Sequence, residues 1–204
     1  MGFDISGLNP KMNVKEEDFK TLFKYNHNKY ETFDEWHNAL DEAGVRKEYQ
    51  EQMEQFEDAN PGIYFRNNVW WWRPLWAFIC DNCHDILDED DMERGSFNDG
   101  HKITKKKSIE LAMKLEALDA EGAIVQWQAE YLQEQEDAPD EDCELCEATG
   151  KRKKAPEKGA GNIKCNGCNG KGKKRPWQCS YPFDRENVMR FARFARESGG
   201  FIIC

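Results

Sequence analysis

The chain lacks several features that would have named a class at once. In 204 residues no apolar run approaches the ~18–20 that cross a bilayer, so no membrane span is expected. The opening residues are acidic and short of apolar side chains, so no secretory leader is expected. The phosphate-cradling G-x-x-x-x-G-K-[ST] run, G-x-G-x-x-G, H-E-x-x-H and the G-x-S-x-G elbow are all missing. That removes the motif-borne routes to an enzyme assignment. Aliphatic residues are thin in the N-terminal third, and the stretch after residue 146 has almost none. Seven Trp and twelve Phe must supply the core instead, since each Trp buries about 150–250 Å².

What is there is a pattern of cysteines. Cys143 and Cys146 form one C-x-x-C pair, Cys165 and Cys168 a second, with 18 residues between them. The intervening Lys- and Gly-rich loop cannot bury enough surface to order itself. Four thiolates on one tetrahedral Zn²⁺ can order it, because metal binding then supplies the folding energy. Disulfides and idle thiols are the alternatives. Eight cysteines without an export signal favour metal in a reducing, cytoplasmic compartment.

Charge is unevenly spread. The net charge is −10, yet residues 151–176 hold ten Lys/Arg against the single acid Glu157. Lys151, Arg152, Lys153, Lys154, Lys171, Lys173, Lys174 and Arg175 make this stretch a candidate contact for phosphates, with Trp177 as a stacking surface. An acidic protein, such as a host protein, fits nearly as well as a partner. The plainer alternative is that these residues only solubilise the loop and pair with the acidic linker before it.

The second pair and its sequel, Cys165-Asn166-Gly167-Cys168-Asn169-Gly170-Lys171-Gly172, resembles the C-x-x-C-x-G-x-G repeat of the DnaJ-type cysteine-rich domain. After the first pair, Ala148 stands where that repeat has Gly, and Gly150 follows. The chain has fewer repeats than that domain, enough for one zinc, and no His-Pro-Asp signature of the accompanying J-domain. The resemblance implies a zinc-ribbon hairpin and no chaperone recruitment. A wider resemblance is carried by MGFDISGLNP, YFRNNVWWWRPLW (64–76), the RPW closing the hairpin and YPFDRENV…SGGFIIC. It is to a group of proteins from phages and prophage-bearing bacteria, and implies a source but no activity.

Along the chain, Phe3 and Ile5 alternate with polar residues as a strand. Helices are predicted over 15–25, after the capping box Thr32/Glu35, and over 46–58, stopped by Asn60-Pro61-Gly62. These N-terminal helices are expected to be peripheral. Residues 63–69 read as a strand, and Pro74 as the first residue of a helix. Trp70, Trp71, Trp72 and Trp76 are expected at the core centre. Arg66, Asn67, Asn68 and Arg73 among them, with Asn98 and His101, form a candidate polar pocket for an enzyme, unless they merely satisfy loops and acids. Cys80, Cys83 and His84 are a candidate second metal or thiol site, with buried idle thiols as the default. Residues 88–103 read as a solvated acidic run. Helices follow on either side of Gly122, then a helix after Asp184 and a final strand, Phe201-Ile202-Ile203. The expected fold is α+β and mainly helical, with a small sheet from both termini and the 63–69 segment. Residues 1–140 would form a helical body, 141–178 an inserted zinc-ribbon-like β-hairpin, and 179–204 the return to the body.

Overall fold

The computed structural model describes residues 2–204. In chain order, β1 (Gly2–Gly7) precedes α1 (Lys20–Lys24), α2 (Phe33–Glu42), α3 (Arg46–Ala59) and β2 (Tyr64–Asn68). Next come α4 (Val69–Asn82), α5 (Glu89–Arg94), β3 (His101–Ile103), α6 (Lys105–Ala120) and α7 (Ala123–Asp137). Four two-residue strands follow: β4 (Glu141–Asp142), β5 (Lys151–Arg152), β6 (Ile163–Lys164) and β7 (Lys173–Lys174). The chain closes with α8 (Arg185–Glu197) and β8 (Phe201–Ile203). The fold is α+β and mainly helical. Its contacts divide it into two compact units, one running to Glu121 and resuming at Glu186–Cys204, the other Gly122–Arg185.

The first unit is built on an antiparallel sheet of order β2-β1-β8-β3. Ile5 lies opposite Phe65 on one side and Ile203 on the other, so the two ends of the chain meet as neighbouring strands. Strand alternation sends Phe3, Ile5, Phe65, Ile103, Phe201 and Ile203 inward. Trp72 stacks on Phe3 at 5.3 Å and on Trp76 at 5.3 Å, and meets Phe191 of α8 edge-on at 5.8 Å. Each buried indole finds an acceptor: Trp72 Nε1 donates to the Gly95 carbonyl (2.8 Å) and Trp76 Nε1 to that of Met92 (3.0 Å).

Only part of the Trp run enters this core. Trp72 and Trp76 are buried, whereas Trp70 is 44% exposed. Residues four apart share a helix face, and their neighbours do not. The helix also begins earlier than Pro74 predicts. Asn68 caps α4, its side chain accepting from the N–H groups of Trp70 and Trp71. Pro74 therefore sits inside the helix, buried.

Two further expectations are corrected. The N-terminal helices are not mere periphery: Phe19, Leu22, Leu40, Tyr49 and Phe56 form a core of their own, with Trp36 and Met53 packed against it. Aromatic rings take the place of the scarce aliphatics. The acidic run 88–103 contains α5 and β3, and Asp91 in it is buried. Asp88 and Asp91 form a reciprocal capping box. Asp91 accepts from His101 Nε2 at 2.8 Å and also binds the Lys107 ammonium, which reaches Asp88 at 2.6 Å.

In the second unit, Trp127 and Tyr131 of α7 stack at 5.1 Å and close on Phe183. Tyr131 Oη (3.0 Å) and Gln135 Nε2 (2.7 Å) both donate to the Tyr181 carbonyl. The Arg175 guanidinium donates to the carbonyls of Gln135, Glu136 and Ala138 at the end of α7. It thus satisfies acceptors that a helix C-terminus leaves open.

Candidate metal centre

The segment between β4 and β7 repeats itself. The chain runs up β4, turns through Cys143–Cys146 and continues as β5; it returns along β6, turns through Cys165–Cys168 and leaves as β7. β4 pairs with β7 and β5 with β6, both antiparallel. The two turns match bond for bond. Cys143 N–H donates to the Gly172 carbonyl (2.8 Å) and Cys165 N–H to that of Gly150 (2.9 Å). Ala148 N–H reaches the Cys143 carbonyl (3.2 Å) as Gly170 N–H reaches that of Cys165 (3.0 Å). Backbone angles agree too: φ is +50° at Glu147 and +51° at Asn169, +62° at Ala148 and +81° at Gly170, +74° at Gly150 and +80° at Gly172. A Cβ on Gly150 would run into the Gly170 carbonyl, and one on Gly172 into the Ala148 carbonyl. Both positions therefore need glycine for space as well as for φ.

This backbone aims four sulfurs inward. Cys143 Sγ lies 3.8 Å from Cys165 Sγ, Cys146 Sγ lies 3.7 Å from Cys168 Sγ, and ligand atoms from all four lie within 4.8 Å of one another. A disulfide would need about 2.05 Å. A tetrahedron with metal–sulfur bonds of about 2.3 Å has edges of about 3.8 Å, which the observed separations approach. All four cysteines are buried, and Leu145 is the apolar side chain packed against them. Desolvation pushes the Cys146 thiol up to about 12. Cys168 meets the same desolvation but is drawn down to about 7 by the Gly172 N–H, 3.2 Å from its sulfur, and by its neighbouring thiols. The four cysteines form a candidate metal site.

The basic residues around this centre divide into two kinds. Arg152 is engaged structurally: it donates to Asn166 Oδ1 (2.9 Å) and to the Lys153 and Glu157 carbonyls, which orders the hairpin tip. Arg175 binds α7 as described. Lys151, Lys153, Lys154, Lys171 and Lys173 are exposed, and no hairpin lysine forms an ion pair among the described residues. Asp140, Asn169, Lys171, Lys173 and Lys174 line a hollow of about 280 Å³. Trp177 is 53% exposed and edge-on to Tyr181 at 5.4 Å.

The other residues singled out by sequence do separate jobs. Cys80 lies in α4 and Cys83 just beyond it, and burial pushes their thiols up to about 11 and about 12. His84 is exposed, and its ring nitrogen lies 3.2 Å from the Asp81 carbonyl. Among the described residues, the one group able to offer three or more ligands is the four-cysteine set. Arg66 faces Asp4 at 3.9 Å, Asn67 donates to Asn187, Asn68 caps α4, Asn98 reaches the Gly2 carbonyl at 3.4 Å and His101 binds Asp91. Arg73 is an exposed residue of α4. Sequence reasoning singles out His101 but misses that it joins Asp91, both of them buried, and the partly exposed Lys107. Reading Asp88 as an N-cap with Asp91 at its third position would have revealed this cluster.

Comparison with protein-family models, with curated proteins and with solved structures finds no match.

Proposed function

We propose that this is a non-enzymatic binding protein whose hairpin, residues 141–178, is an inserted module folded around one Zn²⁺ and presented to nucleic acid. The observation that carries the reading is the sulfur quartet, with edges of 3.7 and 3.8 Å inside a lysine-rich hairpin none of whose lysines forms a close ion pair among the described residues. Zinc is the ion favoured by four thiolates in a tetrahedron. Cys143, Cys146, Cys165 and Cys168 would hold it, and with no position left for water the ion is structural.

Nucleic acid is favoured over an acidic protein by what the hairpin lacks. Protein interfaces draw their affinity from buried apolar and aromatic anchors. Between Cys143 and Pro176 there is no aromatic residue, Trp177 at the base is the hairpin's single exposed ring, and Ile163 is the one large aliphatic exposed on the ribbons. Phosphate contacts need only cations and released counter-ions. The resemblance to phage and prophage proteins supports a phage-encoded source acting in the host cytoplasm.

The test has two parts. Metal analysis of the purified chain is expected to give one zinc per chain, and a folded hairpin without metal would overturn the site. Binding to nucleic acid is expected to weaken steeply with salt. No binding at low salt would remove the nucleic-acid reading while leaving the zinc assignment intact.

A further inference from the structure

We infer that the nucleic acid is a duplex, gripped without regard to sequence by the β5–β6 ribbon; this deepens the reading of the hairpin as a nucleic-acid contact and rests on it. The two ribbons of the repeat differ in the charges they set across from one another. On β4–β7, Glu141 lies opposite Lys174 and Asp142 opposite Lys173, so each cation has an acid as its cross-strand neighbour. On β5–β6, Lys151 lies directly opposite Lys164. Directly opposite Cβ atoms are about 4.5–5.5 Å apart, and like charges there destabilise the pairing. No carboxylate pairs with either lysine. The tip beyond adds Lys153, Lys154 and Lys158 against Glu157 and the Glu147 carboxylate, which lies beside Gly159, and is closed by the Lys153 N–H to Gly159 carbonyl bond of 3.1 Å. An external row of anions is what relieves such a pair.

The ribbon's shape and chemistry choose among nucleic acids. Single strands are held mainly by stacking bases on aromatic rings, and the ribbon has none. Trp177 offers a single ring beyond its base. Two strands about 4.8 Å apart fit a B-form major groove about 12 Å wide, but not a minor groove of about 6 Å. Lys151 and Lys164, on one face of that ribbon, can then reach phosphates on opposite groove walls. Base readout has little to work with. The best base reader here, Arg152, already binds Asn166 and two carbonyls of the tip.

The zinc-loaded full chain should be titrated by fluorescence anisotropy with a short DNA duplex, a shuffled duplex, the separated strands and polyglutamate, at several salt concentrations. The two duplexes should bind alike, and each single strand at least about tenfold more weakly. The pair Lys151→Gln/Lys164→Gln should reduce the slope of log K against log salt by about 2, and Lys173→Gln/Lys174→Gln by less. Zinc content confirms that each variant keeps its hairpin, and Lys151→Arg/Lys164→Arg should restore the slope. Single strands bound as tightly as duplex would overturn the groove reading and leave the proposed function standing. An unchanged slope in the Gln pair would overturn the assignment to this ribbon. Binding to polyglutamate alone, or to nothing, would overturn both.

Discussion

The first unit and the hairpin of the second hold themselves together in opposite ways. In the first, buried rings do the work: Trp72, Phe191, Phe194 and Phe201 are essentially inaccessible, and each such side chain contributes about 1.5–3 kcal/mol by leaving water. In the hairpin the buried cluster is four sulfurs and little else. The cations differ in the same way. Lys107 binds Asp88 and Asp91, Lys114 faces Asp85 at 3.6 Å, and Arg196 chelates Glu116. The hairpin lysines have no such partners. Charge in the first unit helps to build it, whereas charge on the hairpin is left facing outward.

The largest effect should come from removing metal. Structural zinc in small modules contributes about 10–16 kcal/mol of apparent binding free energy at neutral pH. Chelation, or Cys165→Ser, should collapse amide dispersion across residues 141–176 while the near-ultraviolet signal of Trp72 and Trp76 persists. Loss of both signals together would show that the contrast between the units is false. The reverse experiment is Trp72→Ala, expected to cost about 3–5 kcal/mol. It should lower the melting temperature of the first unit and leave zinc stoichiometry unchanged.

Lys107→Met tests charge used as structure. It leaves Asp91, which is buried, with His101 as its remaining side-chain partner outside its own capping box, and should cost about 1–3 kcal/mol. The hydrogen bonds to Asp88 and Asp91 raise the Lys107 pKa, so its contribution is present below the unfolded value of about 10.4 and is lost as pH rises through the folded one. Hydrogen bonding from Lys107 lowers the Asp88 pKa, so that contribution is present above about 3.9 and is lost as pH falls through the folded value. Urea titrations should show the widest gap between parent and variant at intermediate pH. A gap that does not vary with pH would mean that the lysine stem, not its charge, matters.

How much of this was legible depended on whether a signal was local. The pairing of Phe3-Asp4-Ile5 with the final strand followed from a short alternation at one end of the sequence and a short apolar run, Phe201-Ile202-Ile203, at the other. Thr32 capped its helix, and four cysteines at ligand spacing led to a real cluster. The start of α4 was misread because Pro74 is a strong helix-start signal, whereas the cap is Asn68, which resembled a pocket residue. β3 is three residues long, too short to show a period inside an acidic run. Arg152 and Arg175 looked like any other cations of the basic stretch. Their roles depend on the Asn166 side chain and on the carbonyls ending α7, and no composition displays those contacts.

The two halves of the repeat can be compared in the same way, down to the smallest effect expected. Gly150→Ala should cost about 2–3 kcal/mol, because positive φ is joined by collision with the Gly170 carbonyl. Gly44→Ala, at φ +66° with open space around it, should cost only about 1 kcal/mol. Ala148 is the reciprocal case. It holds φ +62° where its counterpart Gly170 holds +81°, a conformation costing an L-residue about 1–2 kcal/mol. Ala148→Gly removes that strain but adds about 0.5–1 kcal/mol of unfolded-chain entropy, leaving a net gain of up to about 1.5 kcal/mol. Resistance of the zinc to a competing chelator measures it directly. If the first turn is a true copy of the second, Gly170→Ala should lower that resistance by about as much as Ala148→Gly raises it, and the double exchange should return to the parent value. A gain at 148 without a matching loss at 170 would mean that the turns share a backbone trace but not a distribution of strain, with the first turn the weaker half of the metal site.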